Sequence, residues 1–246
     1  MTFFNLLKFD LYKIIKAKSF YIVCAFAFLI EAANILFLYL NGAETVFPNA
    51  MHWTTGIYGV AIFTIVFVCK DFKSGYYKNI ATDVNRFYYV LSKVTVIAIV
   101  VVFIRAVIFL FDVLCCYCFG NRTFCAKNTG YVLSEYITTM LLDLWCLTML
   151  GIVIEFLCIW LKSELISFAP YFIYITFFSS MVCQKMQDWF GKGVRWLLLS
   201  GHLVGVYNYI GHLDESLICL VVTFIWGTLA LIGSWLLLLR KRRVIV

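Results

Sequence analysis

Five ionisable residues interrupt otherwise apolar stretches of the chain, and their types suit chemistry inside a membrane. They are Glu31, Arg105, Asp112, Asp143 and Glu155. A charged side chain at the centre of a bilayer costs about 2.5–3.5 kcal/mol on insertion scales, so such residues mark ion pairs, proton relays or substrate paths. Glu31 and Arg105 lie at matching depths in their stretches, which predicts an ion pair between them. For Asp143 and Glu155, a structural contact between helices and a polar path are both open.

Cysteine and histidine offer a second kind of chemistry. The spacing of His212 and Cys219 resembles that of base and nucleophile in membrane-embedded peptidases that process signalling peptides. The rest of that pattern is missing, and Cys219 lies within an apolar stretch, so we favour a structural role for it. Four of the ten cysteines cluster at 115–125, but their spacing fits no common zinc site, and we expect no metal centre. A disulfide between Cys118 and Cys125 is left open.

The composition indicates what must position these residues. The chain has 246 residues, of which 64% are apolar and 13% are charged, whereas soluble domains are about 45–50% apolar and about 25% charged. This difference excludes an ordinary cytosolic enzyme, a disordered chain and a nucleic-acid-binding protein, despite the net charge of +7. The apolar residues form six stretches that meet or approach the roughly 20 residues of a membrane crossing. They are 19–40, 52–69, 90–119, 131–161, 165–183 and 216–239.

These stretches predict an all-α, polytopic membrane protein with one transmembrane domain over 1–246. Helices are expected because lipid offers backbone N–H and C=O groups no other partners. Fourteen of the 20 Lys and Arg residues fall in the two termini, the segment 70–93 and the turn at Lys162, and positive charge marks the cytoplasmic side. Six crossings of the cell membrane, with both termini cytoplasmic, fit this distribution. The shorter apolar stretch 196–210 is either a seventh crossing or a re-entrant or interfacial helix on the outer face, between spans five and six. We favour the second, because a seventh crossing would place the Arg240–Arg243 cluster outside.

Residues 3–18 predict a basic amphipathic helix ahead of the first span. One face carries apolar residues at helical spacing: Phe4, Leu7, Leu11, Ile14 and Ile15. Leu6 and Phe9 are exceptions to this pattern. Such a helix lies in the plane of the lipid headgroups with its apolar face inward. It serves either as a surface anchor or as a lever that connects cytoplasmic events to the first span.

The segment after the second span carries a further amphipathic pattern. Read as a helix over 71–92, it places six apolar side chains within one arc: Phe72, Tyr76, Ile80, Val84, Phe87 and Leu91. A short cytoplasmic helix of this type either covers the inner ends of the spans or docks into the groove of a partner protein.

The order of residues in this segment resembles that of the type-2 ABC exporter permeases of Gram-positive bacteria. The matching positions are Asp71, Gly75, Lys78, Asn79, Arg86 and the run Leu91-Ser92-Lys93. The run from Leu7 to Lys13 is similar to the start of the same family, and the six spans, cytoplasmic termini and long outer loop also agree. The chain departs from the family pattern at Tyr76, where Thr is usual, and at Asn85, where a small residue is common.

The resemblance implies the membrane subunit of an ABC transporter, which works as a homodimer or as a heterodimer with another permease. A separate ATPase, which binds ATP and Mg, would contact the coupling segment: Asp71, Phe72, Gly75, Tyr76, Lys78, Asn79 and Arg86. The outer hairpin at 196–212 would close the exit, with a gate at Gly201, His202 and Gly205. The chain itself has no G-x-x-x-x-G-K-[ST] phosphate loop, so we expect no ATP hydrolysis and no cofactor of its own.

The substrate follows from analogy alone. Small members of this family often export antimicrobial peptides or confer immunity to them, so the resemblance implies export of a peptide or a hydrophobic compound. Two alternatives stay open: a membrane-embedded cysteine peptidase that uses His212 and Cys219, and a membrane-bound immunity or sensor protein without transport. A copurifying ATPase would separate the transporter from both.

Overall fold

Long helices account for the secondary structure of the described residues, and no strand occurs among them. The computed structural model describes residues 2–40, 53–74, 85–118, 133–173, 185, 188–189 and 213–240. The helices are α1 (Phe3–Lys16), α2 (Lys18–Leu40), α3 (Trp53–Lys73), α4 (Arg86–Cys118), α5 (Leu133–Leu161), α6 (Glu164–Ile173) and α7 (Leu213–Arg240). The predicted all-α class is therefore confirmed.

Three of the helices contain segments that are long and apolar enough to cross a membrane. They are Arg86–Leu110 in α4, Met140–Leu161 in α5 and Asp214–Leu239 in α7. Each exceeds the roughly 20 residues that a crossing requires. A total of six crossings stays a prediction, and the predicted re-entrant stretch at 196–212 lies outside the described residues.

Helix α5 occupies the centre of the described bundle. It contacts α3, α4, α6 and α7, while α2 lies against α3 and α4. More than half of the apolar segment of α5 is buried, against 22% of that of α7. Helix α7 therefore exposes most of its apolar side chains, as a helix that faces lipid does.

One glycine lets three helices approach closely at the bundle centre. A Cβ atom at Gly151 of α5 would collide with the Ile97 side chain of α4, and it would lie 3.5 Å from Val60 of α3. Close approach at small residues is the common mode of helix contact in membrane proteins. The core around this point is continuous and includes Leu147, Ile154 and Val100.

Helix α1 divides its apolar residues between two faces. Leu6, Asp10 and Ile14 are buried against the bundle, whereas Phe4 and Ile15 are 77% and 61% exposed. The sequence pattern grouped Phe4 and Ile15 with Ile14 and treated Leu6 as an exception, and the structure corrects this grouping. The reason is tertiary, because α1 turns the face that carries Asp10 towards α4.

The two ends of the predicted coupling segment, 71–92, belong to the long helices α3 and α4. Asp71 and Phe72 continue α3 to Lys73, and the residues from Arg86 onwards begin α4. A separate helix over the whole of 71–92 is therefore corrected at both ends. Gly75, Tyr76, Lys78 and Asn79 lie outside the described residues.

Candidate functional site

Four charged side chains meet where α1, α3 and α4 come together. We call Asp10, Lys13, Asp71 and Lys93 the N-terminal ion cluster. The Lys93 Nζ lies 2.6 Å from Asp10 Oδ1 and 2.6 Å from Asp71 Oδ2, and Lys13 pairs with Asp71 Oδ1. The side chains of Asp10, Asp71 and Lys93 are fully buried, and that of Lys13 is 17% exposed.

Neutral groups complete the coordination of these charges. Ser92 Oγ donates to Asp10 Oδ2 at 2.8 Å, and Tyr89 OH donates to Asp71 Oδ2 at 3.2 Å. Each of the four carboxylate oxygens therefore has a partner. The Phe67 ring lies 4.3 Å from the Lys93 Nζ and 5.4 Å from the Lys13 Nζ, within the range of a cation–π contact. Such complete pairing offsets the cost of removing the charges from water.

The cluster follows from helical spacing on each of its three helices. Residues three or four apart share a helix face. Asp10 and Lys13 have this spacing on α1, Phe67 and Asp71 have it on α3, and Tyr89 and Lys93 have it on α4. Each helix thus presents two of the interacting groups within one turn, and their convergence fixes the rotation of α1 on the bundle.

Lys13 is the most accessible member of the cluster, and its protonation is sensitive to its surroundings. The pKa of Lys13 is lowered to about 7, and the largest cause is burial. The positive charges of Lys93 and Lys70 lower this pKa further, whereas the negative charge of Asp10 raises it. Desolvation disfavours a charged ammonium in this way. The Lys13–Asp71 pair therefore depends on pH near neutrality.

The structure places the described members of the predicted coupling segment against other parts of this chain. Asp71 is fully buried in the N-terminal ion cluster, and Phe72 is half-buried against the hydrophobic core. Arg86 donates from Nη1 to the carbonyl oxygens of Leu238 and Leu239, the latter at 3.3 Å. These carbonyls belong to the last turn of α7, where backbone acceptors lack intrahelical partners. Arg86 therefore caps α7, and Asp71 is an internal ion-pair partner.

A second buried ion pair joins α4 and α5. Arg105 donates from Nε to Asp143 Oδ2 at 2.7 Å and also donates from Nη2 to the same oxygen. Arg105 is 7% exposed and Asp143 is 4% exposed. Asp143 was not predicted at this guanidinium, and the predicted pair of Arg105 with Glu31 stays a prediction. The side chains of Glu31 and Asp112 lie outside the described residues.

Glu155 differs from the other buried charges. Its side chain is fully buried on α5, and neither carboxyl oxygen has a hydrogen-bond partner among the described residues. The charges of Lys93 and Asp10 act on it electrostatically. The hydroxyls of Thr64 and Ser234 are also buried without a hydrogen-bond partner in this part of the chain.

The proposed peptidase nucleophile lies in the core. Cys219 is fully buried on α7, and its Sγ is 3.4 Å from the Sγ of Cys146 on α5. A nucleophile must reach its substrate, and this thiol faces another helix. His212, Cys125 and the predicted gate residues Gly201, His202 and Gly205 lie outside the described residues, as does the side chain of Cys118.

The sequence reasoning missed Asp10 and Lys93 as an interacting pair. Asp10 is the single acidic residue among the four lysines of residues 1–18, and Lys93 stands just inside a predicted span. The available signals in the sequence were a single acid among lysines and a lysine at the start of a predicted span, because a charged residue next to lipid needs a partner of opposite charge.

Comparisons with known proteins assign this chain to no family. No family model matches the chain, and no curated protein matches it. Function is therefore inferred from the N-terminal ion cluster, the Arg105–Asp143 pair and Glu155, which has no hydrogen-bond partner among the described residues.

Proposed function

We propose that the chain is the transmembrane permease subunit of an ABC transporter, which works as a dimer and exports a peptide or a hydrophobic compound with a separate ATPase. The observation that supports this proposal best is the N-terminal ion cluster. It ties α1 to the end of α3 and to the start of α4, the two helices that flank the segment 75–84. That segment carries the residues of the permease resemblance that would contact an ATPase.

The cluster suits the transmission of a movement. Fully buried ion pairs resist separation, because pulling one partner away leaves an uncompensated charge in a medium of low dielectric. A displacement of the segment 75–84 would therefore move the adjoining ends of α3 and α4 together and carry α1 with them. Arg86 extends the same connection to the last turn of α7 through its two backbone hydrogen bonds.

The coupling roles follow from these positions. Asp71 and Arg86 would act as positioning residues that hold helix ends together. Lys78, Tyr76 and Asn79, in the intervening segment, would supply the direct contacts with the ATPase. Phe72 would join the two sets through its half-buried ring. The proposal also includes six membrane spans, a gate on the outer face, and location in the cell membrane with both termini in the cytoplasm.

The two alternatives make different demands on the chain. A cysteine peptidase needs an accessible thiol, and the full burial of Cys219 beside Cys146 gives that reading no support. An immunity or sensor protein without transport could have the same bundle, but it needs no ATPase. The decisive measurement is therefore association with an ATPase.

The experiment is purification of the tagged full-length chain from its native membrane in a mild detergent. We expect a protein with a G-x-x-x-x-G-K-[ST] phosphate loop to copurify and the complex to hydrolyse ATP. The variant Lys78→Glu reverses a charge in the proposed contact and should reduce this association. Lys16→Glu, at the exposed end of α1, is the matched control and should not.

Two results would contradict the proposal. One is a folded, monodisperse preparation that contains no nucleotide-binding protein. The other is an ATPase that copurifies equally with wild type, Lys78→Glu and Lys16→Glu, since the association would then not depend on the segment 75–84.

A further inference from the structure

Glu155 of α5 lies opposite Lys93 of α4 in the register of the two helices. Arg105 contacts Asp143, and Ile97, eight residues before Arg105, adjoins Gly151, eight residues after Asp143, so the two helices are antiparallel. One more turn in the same direction, four residues before Ile97 and four residues after Gly151, brings Lys93 and Glu155 to the same level. Because residues four apart share a helix face, both side chains point along the same α4–α5 contact. The electrostatic influence of Lys93 on Glu155 agrees with this placement.

Two carboxyl groups contact Lys93, and a third, that of Glu155, lies at the same level of the bundle. The Lys93 Nζ contacts Asp10 on α1 and Asp71 on α3, each at 2.6 Å. Glu155, on α5, has no hydrogen-bond partner among the described residues although it is fully buried. A buried carboxyl group without a partner is costly, and a cation that pairs with it reduces the cost.

We propose that Glu155 is an alternative partner of Lys93, which takes over its ammonium group when α1 leaves the bundle. Asp10 and Glu155 then form the two ends of a switch that controls the docking of α1. In the docked arrangement Lys93 binds Asp10 and Asp71. In the undocked arrangement Lys93 binds Asp71 and Glu155.

The energetics favour such an exchange. When α1 departs, Asp10 and Lys13 reach solvent, but Lys93 and Asp71 stay between α3, α4 and α5. A buried ammonium that loses one of its two carboxylates is left undercompensated. The long, flexible lysine side chain can swing within one helical turn without movement of the backbone. Glu155 thus lowers the free energy of the undocked arrangement and makes undocking accessible.

Thr64 is placed to assist the undocked arrangement. It lies on α3 one turn beyond Val60, which adjoins Gly151, and so it occupies the level of Lys93 and Glu155. Its hydroxyl is fully buried without a hydrogen-bond partner in the described part of the chain. A hydroxyl at this position can donate to a carboxylate oxygen.

The proposal does not depend on an ATPase, and it is tested on the isolated full-length chain in nanodiscs. Backbone hydrogen exchange of the peptide that spans α1 reports how often α1 undocks. Glu155→Gln keeps the shape but removes the alternative anion, so α1 should exchange about tenfold more slowly than in wild type. Ser234→Ala removes another buried polar atom that has no hydrogen-bond partner within the described helices, and it should leave the rate unchanged. Equal or faster exchange in Glu155→Gln overturns the proposal.

A double-mutant cycle provides a second, independent reading. Asp10→Asn favours undocking, so Lys93 should then rely on Glu155. Adding Glu155→Gln should lower the thermal stability of Asp10→Asn, although Glu155→Gln alone should not lower that of wild type. If Glu155 only repels Asp10, its replacement is neutral or stabilising in both backgrounds, and that result also overturns the proposal.

Discussion

Asp10 of α1 and Lys93 of α4 form an ion pair of 2.6 Å in which both side chains are fully buried. The pair joins residues 83 positions apart in the sequence. It sets the rotation of α1, because the face that carries Asp10 also buries Leu6 and Ile14. One polar contact thereby decides which apolar residues of α1 face the bundle and which remain exposed.

Removal of the Asp10 charge should destabilise the protein. Asp10→Asn leaves Lys93 with Asp71 as its remaining carboxylate in the cluster, and breaking a buried pair from one side costs about 3–5 kcal/mol. Thermal unfolding in detergent should show a clear drop in Tm. Lys8→Gln, at an exposed position of the same helix, is the control and should change stability by less than about 0.5 kcal/mol. Equal Tm values for the two variants would contradict the importance of the pair.

The amino-acid sequence predicts the helices of this fold better than the contacts between distant helices. The long helices were predictable because the length of an apolar run in the sequence gives the length of the helix that it forms. The contact of Arg105 with Asp143 was not predictable, because the depth of a residue along its helix is one coordinate and the rotation of the helix is another. Asp143 lies at the guanidinium, and the Glu31–Arg105 pair, which depth alone indicated, stays a prediction because the side chain of Glu31 lies outside the described residues. The buried face of α1 was not predicted for the same reason, because it is set by the contact of Asp10 with Lys93 on α4.

A charge exchange between α4 and α5 tests the assignment of Asp143. Arg105→Asp alone places two acids together in the core and should abolish monodisperse expression, as measured by fluorescence-detected size exclusion. Adding Asp143→Arg restores opposite charges and should recover part of the yield. The pair Arg105→Glu with Glu31→Arg examines the partner that depth alone indicated. Recovery in that second pair, without recovery in the first, would contradict the Arg105–Asp143 contact.

Lys13 should lose its proton close to neutral pH. Burial and Lys93 lower the pKa of Lys13 from 10.5 to about 7, so between these values the unfolded chain binds the proton and the folded chain does not. The contribution of Lys13 to stability therefore rises with pH across this window. Amine-reactive labelling, resolved by peptide mass spectrometry, should show half-maximal modification of Lys13 near pH 7.

The exposed lysine at the end of α1 supplies the reference for this measurement. Lys16 reacts with the same reagent on the same peptide region, so its profile records the pH dependence of the reagent and of exposure. A Lys13 profile that coincides with that of Lys16 would show that burial among Lys93, Asp10 and Lys70 does not perturb the ammonium group.

Two glycines with different neighbours test how tightly the bundle is held at its centre. A Cβ atom at Gly151 would collide with the branched side chain of Ile97, which α4 holds in place. A Cβ atom at Gly227 would meet the sulfur of Met149, and a methionine side chain can move aside. Gly151→Ala should therefore destabilise the protein by about 1–3 kcal/mol, the usual cost of overpacking. Gly227→Ala should be nearly neutral, because the alanine also favours the helix. The Tm values of both variants test this difference. Equal values for Gly151→Ala and Gly227→Ala would mean that α4 and α5 do not approach as closely as the Gly151–Ile97 contact requires.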